Sequence, residues 1–165
     1  MASPEGVNTL RIETAQDMLK SAIETLPADI CICAAAVSDW TAAEPQGQKI
    51  KKTKDKDVPS LSLKENPDIL KTISNHTELR PKLVIGFAAE TENVDQNAEA
   101  KLKRKGCDWI LANAVGKDDN GVEKAFGTDE NQIYFKTQSG NETWKRMSKQ
   151  RIAEKLVEHI ISELN

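Results

Sequence analysis

The sequence lacks the glycine-rich loops through which backbone amides usually approach phosphate: neither GxGxxG nor GxxxxGK[ST] occurs, and the eight glycines are scattered. A phosphate ligand would therefore need side chains, or a glycine-rich element outside this chain. The three cysteines form no CxxC pair and no Cys/His cluster. Cys31, Cys33 and Cys107 read as reduced thiols in buried strands, not as a zinc site or a disulfide framework. No apolar run reaches membrane-spanning length and the opening "MASPEGVN" is polar, which argues against a membrane span or a signal peptide and for a cytoplasmic protein. A basic surplus is missing too. With 23 Lys and Arg against 26 Asp and Glu, the net charge of −3 excludes general affinity for nucleic acid or an anionic membrane and leaves room only for a local anion site.

What is present has an alternating order. The 165 residues fit one domain with a single core. "NTLRIE" (8–13) reads as a short strand, and Thr14 with Asp17 opens a helix through a capping box. "ADICICAAAV" (28–37), "PKLVIGFAA" (81–89) and "CDWILAN" (107–113) are the continuous apolar runs that buried parallel strands require. "LSLKENPDILKTI" gives a short strand, then Asn66 as N-cap and Pro67 at the first helical position. Asn93 and Gln96 cap a helix that runs to about Lys105 and stops at Gly106. "NQIYFKT" (131–137) is a later strand, and Ser148 caps a last helix with Ile152, Leu156, Ile160 and Leu164 at helical spacing. The order predicts an α/β, Rossmann-like, mostly parallel sheet with helices on both faces. Residues 45–60, with lysines 49, 51, 52, 54 and 56, read as a flexible lysine-rich flap.

Ligands of open parallel sheets bind beyond the carboxyl ends of the strands. "AAAVSDW" (34–40), "GFAAETEN" (86–93) and "LANAVG" (111–116) all open on that edge, which makes Asp39 and Asn113 candidates. In the helix from 94, Val94, Ala98 and Leu102 define the buried stripe, and Asn97, Lys101 and Lys105 form a stripe bordering it. Such lysines either snorkel to water or bind a nucleotide. Lys103 and Arg104 face solvent. His76 and His159 have no Ser or Cys at a motif spacing, and the acids Glu90 and Glu92 sit where a helix entry attracts acids anyway.

Taken in order, "AAAVSDW", "KIKK", "NPDIL", "GFAAETEN", "AEAKLKRKGCDWILAN" and "FGTDENQI" resemble phosphopantothenate–cysteine ligase, also called phosphopantothenoylcysteine synthetase. The resemblance runs from about Val7 to Ile160 and is to the C-terminal half of the bacterial bifunctional enzyme of coenzyme A biosynthesis. The other half of that enzyme is a flavin-dependent decarboxylase, so FMN belongs to the separate domain and not to this chain. The resemblance implies CTP and Mg²⁺, with 4′-phosphopantothenate activated as an acyl-cytidylate and cysteine as the acceptor. It implies Lys49 as the lysine at the reacting phosphate or acyl group. Ala35, Asp39, Pro67, Asp68, Ile69, Leu70, Phe87, Lys101 and Lys105 would contact CTP. Asn113 is added on its edge position alone, and no metal ligands are assigned. A homodimer formed through strands after residue 120 is implied as well.

The family normally opens with a glycine-rich strand and loop ending in an "NxSSG"-like segment. The chain begins after that region, with Met1-Ala2 as a cloning start, so the fragment is expected to bind CTP and to complete the ligase reaction poorly or not at all. Two readings from other classes compete: a generic dinucleotide-binding oxidoreductase module, and a non-catalytic interaction domain with a lysine-rich arm.

Overall fold

A computed structural model describes residues 3–44, 60–116 and 128–165. Most of the lysine-rich segment, Lys49 included, lies outside the described residues. The chain divides into two compact units, Met1–Thr25 with Ala36–Ile69, and Leu26–Ala35 with Leu70–Asn165.

In the first unit, helix α1 (Ala15–Glu24) starts as the sequence predicts. Thr14 Oγ1 accepts from the Asp17 amide at 3.1 Å, and the Asp17 carboxylate accepts from the Thr14 amide at 3.1 Å, which satisfies two otherwise unpaired groups at once. No strand forms over 8–13; that stretch is exposed and irregular. A hairpin-like pair appears instead, β2 (Trp40–Ala42) antiparallel to β3 (Leu63–Glu65). Asn66 does not cap a helix. Its side chain donates to the Ser38 carbonyl at 2.8 Å and its amide to the Asp39 carbonyl at 2.8 Å, so it ties two distant segments together.

The second unit holds a five-stranded sheet in the order β1 (Ile30–Cys33), β4 (Leu83–Glu90), β5 (Trp109–Ala114), β6 (Glu130–Thr137), β7 (Asn141–Ser148). The β1–β4 and β4–β5 pairs are parallel, while β5–β6 and β6–β7 are antiparallel. Four strands therefore point one way and β6 the other, which makes the sheet mostly parallel. Alternation along the strands separates its faces. Leu83, Ile85, Trp109, Leu111, Ile133, Phe135 and Trp144 pack with Ile152, Leu156 and Ile160 of α4 (Lys149–Leu164) in one core. Ser148 Oγ accepts from the Arg151 amide at 3.2 Å and starts that helix. On the other face, α3 (Val94–Lys105) crosses the sheet with Ala98 and Leu102 buried, and the short α2 (Ile69–Ser74) leads into the unit. A side chain at Gly86 would meet the Leu70 methyls at 2.5 Å and Ile110 at 2.9 Å, so only glycine admits that close approach.

Two further features differ from the sequence reading. The run 28–37 yields a strand of four residues, half-buried rather than buried, because β1 is an edge strand with its partner on one side only. Strand β7 is the element the sequence conceals: "NETWKRMS" carries one buried side chain, Trp144, and one half-buried one, Met147, among otherwise polar residues.

Candidate functional site

The carboxyl ends of β4 and β5 lie side by side, with Ala89 opposite Asn113 and Glu90 opposite Ala114. Period-two alternation sends Phe87 and Asn113 to the α4 face and Glu90 to the α3 face. Phe87 packs half-buried against the α4-side core, and Asn113 is half-buried, with its side-chain amide 3.4 Å from the Ala114 carbonyl.

On the α3 face a polar triad occupies the edge. Lys101 Nζ lies 2.6 Å from Glu90 Oε1, and Asn97 Nδ2 donates to Glu90 Oε2 at 3.2 Å and to the Glu92 carbonyl at 2.9 Å. The Glu90 side chain is 14% exposed and that of Lys101 31%. The Lys101 contact is a short, partly buried charge pairing that engages Glu90 Oε1 directly. Asn97 and Lys101 stand one turn apart on one stripe, as the spacing predicts, while Lys103 and Arg104 are exposed.

Lys105 is half-buried on the same stripe, but the helix returns antiparallel to β4 and carries it about 6 Å further from the edge than Lys101. Its carbonyl accepts from Asn75 Nδ2 at 2.9 Å. The start of α3 is also distinctive. Asn93 is left-handed at φ 47° and makes no side-chain cap, so its side chain covers none of the first-turn N–H groups. A cavity of about 440 Å³ lies there, lined by residues 91–96, Ala114 and Tyr134. Asp95 of the same turn pairs with Lys136 of β6 at 2.6 Å, which ties the exposed start of the helix to a lysine that is only 3% exposed.

The opposite, amino edge of the sheet has its own cavity of about 430 Å³, between the β6–β7 turn and α4. Asp108, Glu142 and Glu163 line it, a poor setting for an anion. Beside it the ring of His159 stacks on Trp144 with centroids 5.3 Å apart, so this histidine is a packing residue.

Of the remaining candidates, Ala35 is exposed and follows β1, and Leu70 is half-buried in α2. In the first unit, Asn66 brings the Asp39 turn and Pro67 together; Asp39 is exposed, Pro67 and Asp68 are half-buried, and Ile69 is buried. Glu90 is the residue that sequence reasoning set aside. Its signal was Asn97 on the lysine stripe, since an amide there needs a polar partner and the strand end supplies one. All three cysteines are unbridged thiols, and burial pushes the Cys107 thiol up to about 11.

Parallel strands opening on an edge bordered by helix-borne lysines define a Rossmann-like α/β protein. The chain belongs to the DNA/pantothenate metabolism flavoprotein C-terminal domain family, whose model matches residues 1–164. It is 36% identical over 162 residues to the coenzyme A biosynthesis bifunctional protein CoaBC of Haemophilus influenzae, covering 98% of this chain and 38% of that protein. The CoaBC of Borreliella burgdorferi is 36% identical over 156 residues, covering 93% of this chain and 37% of that protein. The chain thus spans under two fifths of the length of these relatives. Among solved structures it resembles the C-terminal domain of a CoaBC, with TM-score 0.74 and 28% identity over 99% of this chain and 69% of that one. A DNA/pantothenate metabolism flavoprotein from Streptococcus pneumoniae, at TM-score 0.67 and 23% identity over 93% of this chain and 70% of that one, shares the fold.

Proposed function

We propose that this chain is the CTP-binding part of the ligase that joins 4′-phosphopantothenate to cysteine in coenzyme A biosynthesis. The observation that carries the reading is the Lys101–Glu90–Asn97 triad beside the carboxyl edge of β4 and β5, in a chain whose relatives are named for coenzyme A biosynthesis. Glu90 holds the Lys101 ammonium at the edge. An arriving phosphate offers a second anion, and a cation already in position stabilises both the triphosphate and the charge that develops on the leaving group. The start of α3, which Asn93 leaves without a side-chain cap, is a second feature of the same edge in this reading.

The chemistry runs in two balanced steps. The phosphopantothenate carboxylate attacks the α-phosphorus of CTP and pyrophosphate leaves; the cysteine amine then attacks the acyl carbon, CMP leaves and a proton is released. The other contacts implied by the resemblance, Ala35, Asp39, Lys49, Pro67 to Leu70, Phe87, Lys105 and Asn113, are part of the same proposal. No group of three His, Cys, Asp or Glu side chains assembles a metal cage among the described residues. Mg²⁺ in this reading would arrive with the triphosphate and would supply neutralisation of its charge. Dimerisation through strands after residue 120, a partner decarboxylase domain and a cytoplasmic setting belong to the reading as well; among the described residues no helix is long and apolar enough to cross a membrane.

Calorimetric titration with CTP, ATP and NAD in turn, each with Mg²⁺, tests it. Selective CTP binding is the expected result. NAD binding would instead support the oxidoreductase module, and no binding the interaction domain. Pyrophosphate release in the presence of phosphopantothenate, cysteine and CTP is expected to be weak or absent for this chain, and turnover at the level of an intact ligase would overturn that part.

A further inference from the structure

The cysteines of β1 are absorbed by none of the above. Cys31 and Cys33 are two apart on one strand, so both thiols project from the same sheet face, beside Val84 and Gly86 of β4. Their sulfurs lie 3.9 Å apart, and both side chains are half-buried, not sealed in the core. Two sulfurs bound to one tetrahedral ion at a metal–sulfur distance near 2.3 Å stand about 3.8 Å from each other. The strand therefore already holds its thiols at the spacing of a chelate.

We propose that Cys31 and Cys33 form a bidentate site for a thiophilic d¹⁰ divalent cation of the Zn²⁺ and Cd²⁺ class. Binding releases two protons, one from each thiol, and makes two metal–sulfur bonds; the metal keeps its +2 state and solvent completes the tetrahedron. The site is unlike the four-ligand structural zinc sites that the cysteine count excludes, since no third His, Cys, Asp or Glu joins a cluster there among the described residues. It is consequently an exchangeable site and not a folding staple.

A further observation favours the metal over other thiol chemistry. Residues two apart on a strand have Cα atoms about 6.6 Å apart, near the upper limit of disulfide geometry, so a bridging ion fits the unbroken strand better than a direct S–S bond. Cys107, buried and pushed up to about 11, is the internal control.

The probe is Cd²⁺, titrated into the reduced chain while the ultraviolet thiolate-to-metal charge-transfer band is recorded. The expected result is saturation at one Cd²⁺ per chain, displacement by excess Zn²⁺, loss of the band in Cys31→Ser and in Cys33→Ser, and retention in Cys107→Ser. Iodoacetamide alkylation with peptide mass mapping supplies a readout on the unaltered chain: bound Cd²⁺ should protect Cys31 and Cys33 together. Absence of the band, its survival in either β1 variant, or its dependence on Cys107 overturns the proposal. Should a serine variant lose its far-ultraviolet dichroism, the protection pattern decides, and failure to protect both thiols overturns it equally.

Discussion

At the amino edge of the sheet, Arg80 commits its guanidinium to several partners of the fold, whereas at the carboxyl edge Lys101 pairs, among the described residues, with the Glu90 carboxylate. Arg80 donates to the carbonyls of Ser74 and Pro81 at 2.7 and 2.9 Å and forks onto both Asp108 oxygens at 2.9 Å. Asp108 Oδ2 accepts in addition from the Val84 amide at 2.7 Å. The bonds through Asp108 join segments more than twenty residues apart, so a ligand could take that carboxylate's place only by displacing structure. Glu90, Lys101 and Asn97 join one strand end to one helix face, and an anion can share Lys101 without unmaking the sheet. The contrast separates charge that holds the fold together from charge held ready for a ligand.

The largest effect is expected from Asp108→Ala, which leaves the Arg80 charge and the Val84 N–H unpaired. It should cost about 3 kcal/mol in chemical denaturation and leave CTP affinity of the folded fraction unchanged; a loss below about 1 kcal/mol would remove the structural half of the contrast. Lys101→Ala should weaken CTP binding about tenfold, or about 1.4 kcal/mol. Unchanged affinity would show that the carboxyl-edge lysine is structural too.

The smallest effect concerns the amino-edge cavity, where the Trp144 indole N–H, 2.9 Å from Glu142 Oε2, holds the Glu142 carboxyl below its ordinary value of 4.5, helped by His159 and Lys155. A lowered acid stabilises the fold above that ordinary value and loses its contribution as pH falls through the folded one. Glu142→Gln should therefore cost no more than about 0.5 kcal/mol near pH 7, because the group is half exposed and screened. The difference from the unaltered protein should vanish at low pH in urea titrations; a difference that persists there would assign the effect to packing against Trp144 and not to charge.

Much of this was legible in the chain. The Thr14–Asp17 box, the Gly106 stop and the Ser148 cap are local, each set by hydrogen bonds within a few residues. The Lys101 stripe follows from helical period alone. Glu90 was not legible, because its partner lies eleven positions on and an acid before a helix has an ordinary explanation. Strand β7 escaped because an edge strand with one buried residue has no apolar alternation to display. Asn66 misled for a related reason: Asn-Pro reads locally as a cap, but two backbone groups near Asp39 compete for its polar atoms and win.

By itself, the sequence determined what short-range physics controls: the helix ends, the apolar strands, the faces of α3 and the absence of a glycine-rich phosphate loop. It also carried the ordered motifs by which the family is recognised. Only the tertiary structure decided which polar groups meet. It set Glu90 under Lys101 and Arg80 on Asp108, because such pairings depend on strand register and helix crossing, which residues far apart in the chain fix together.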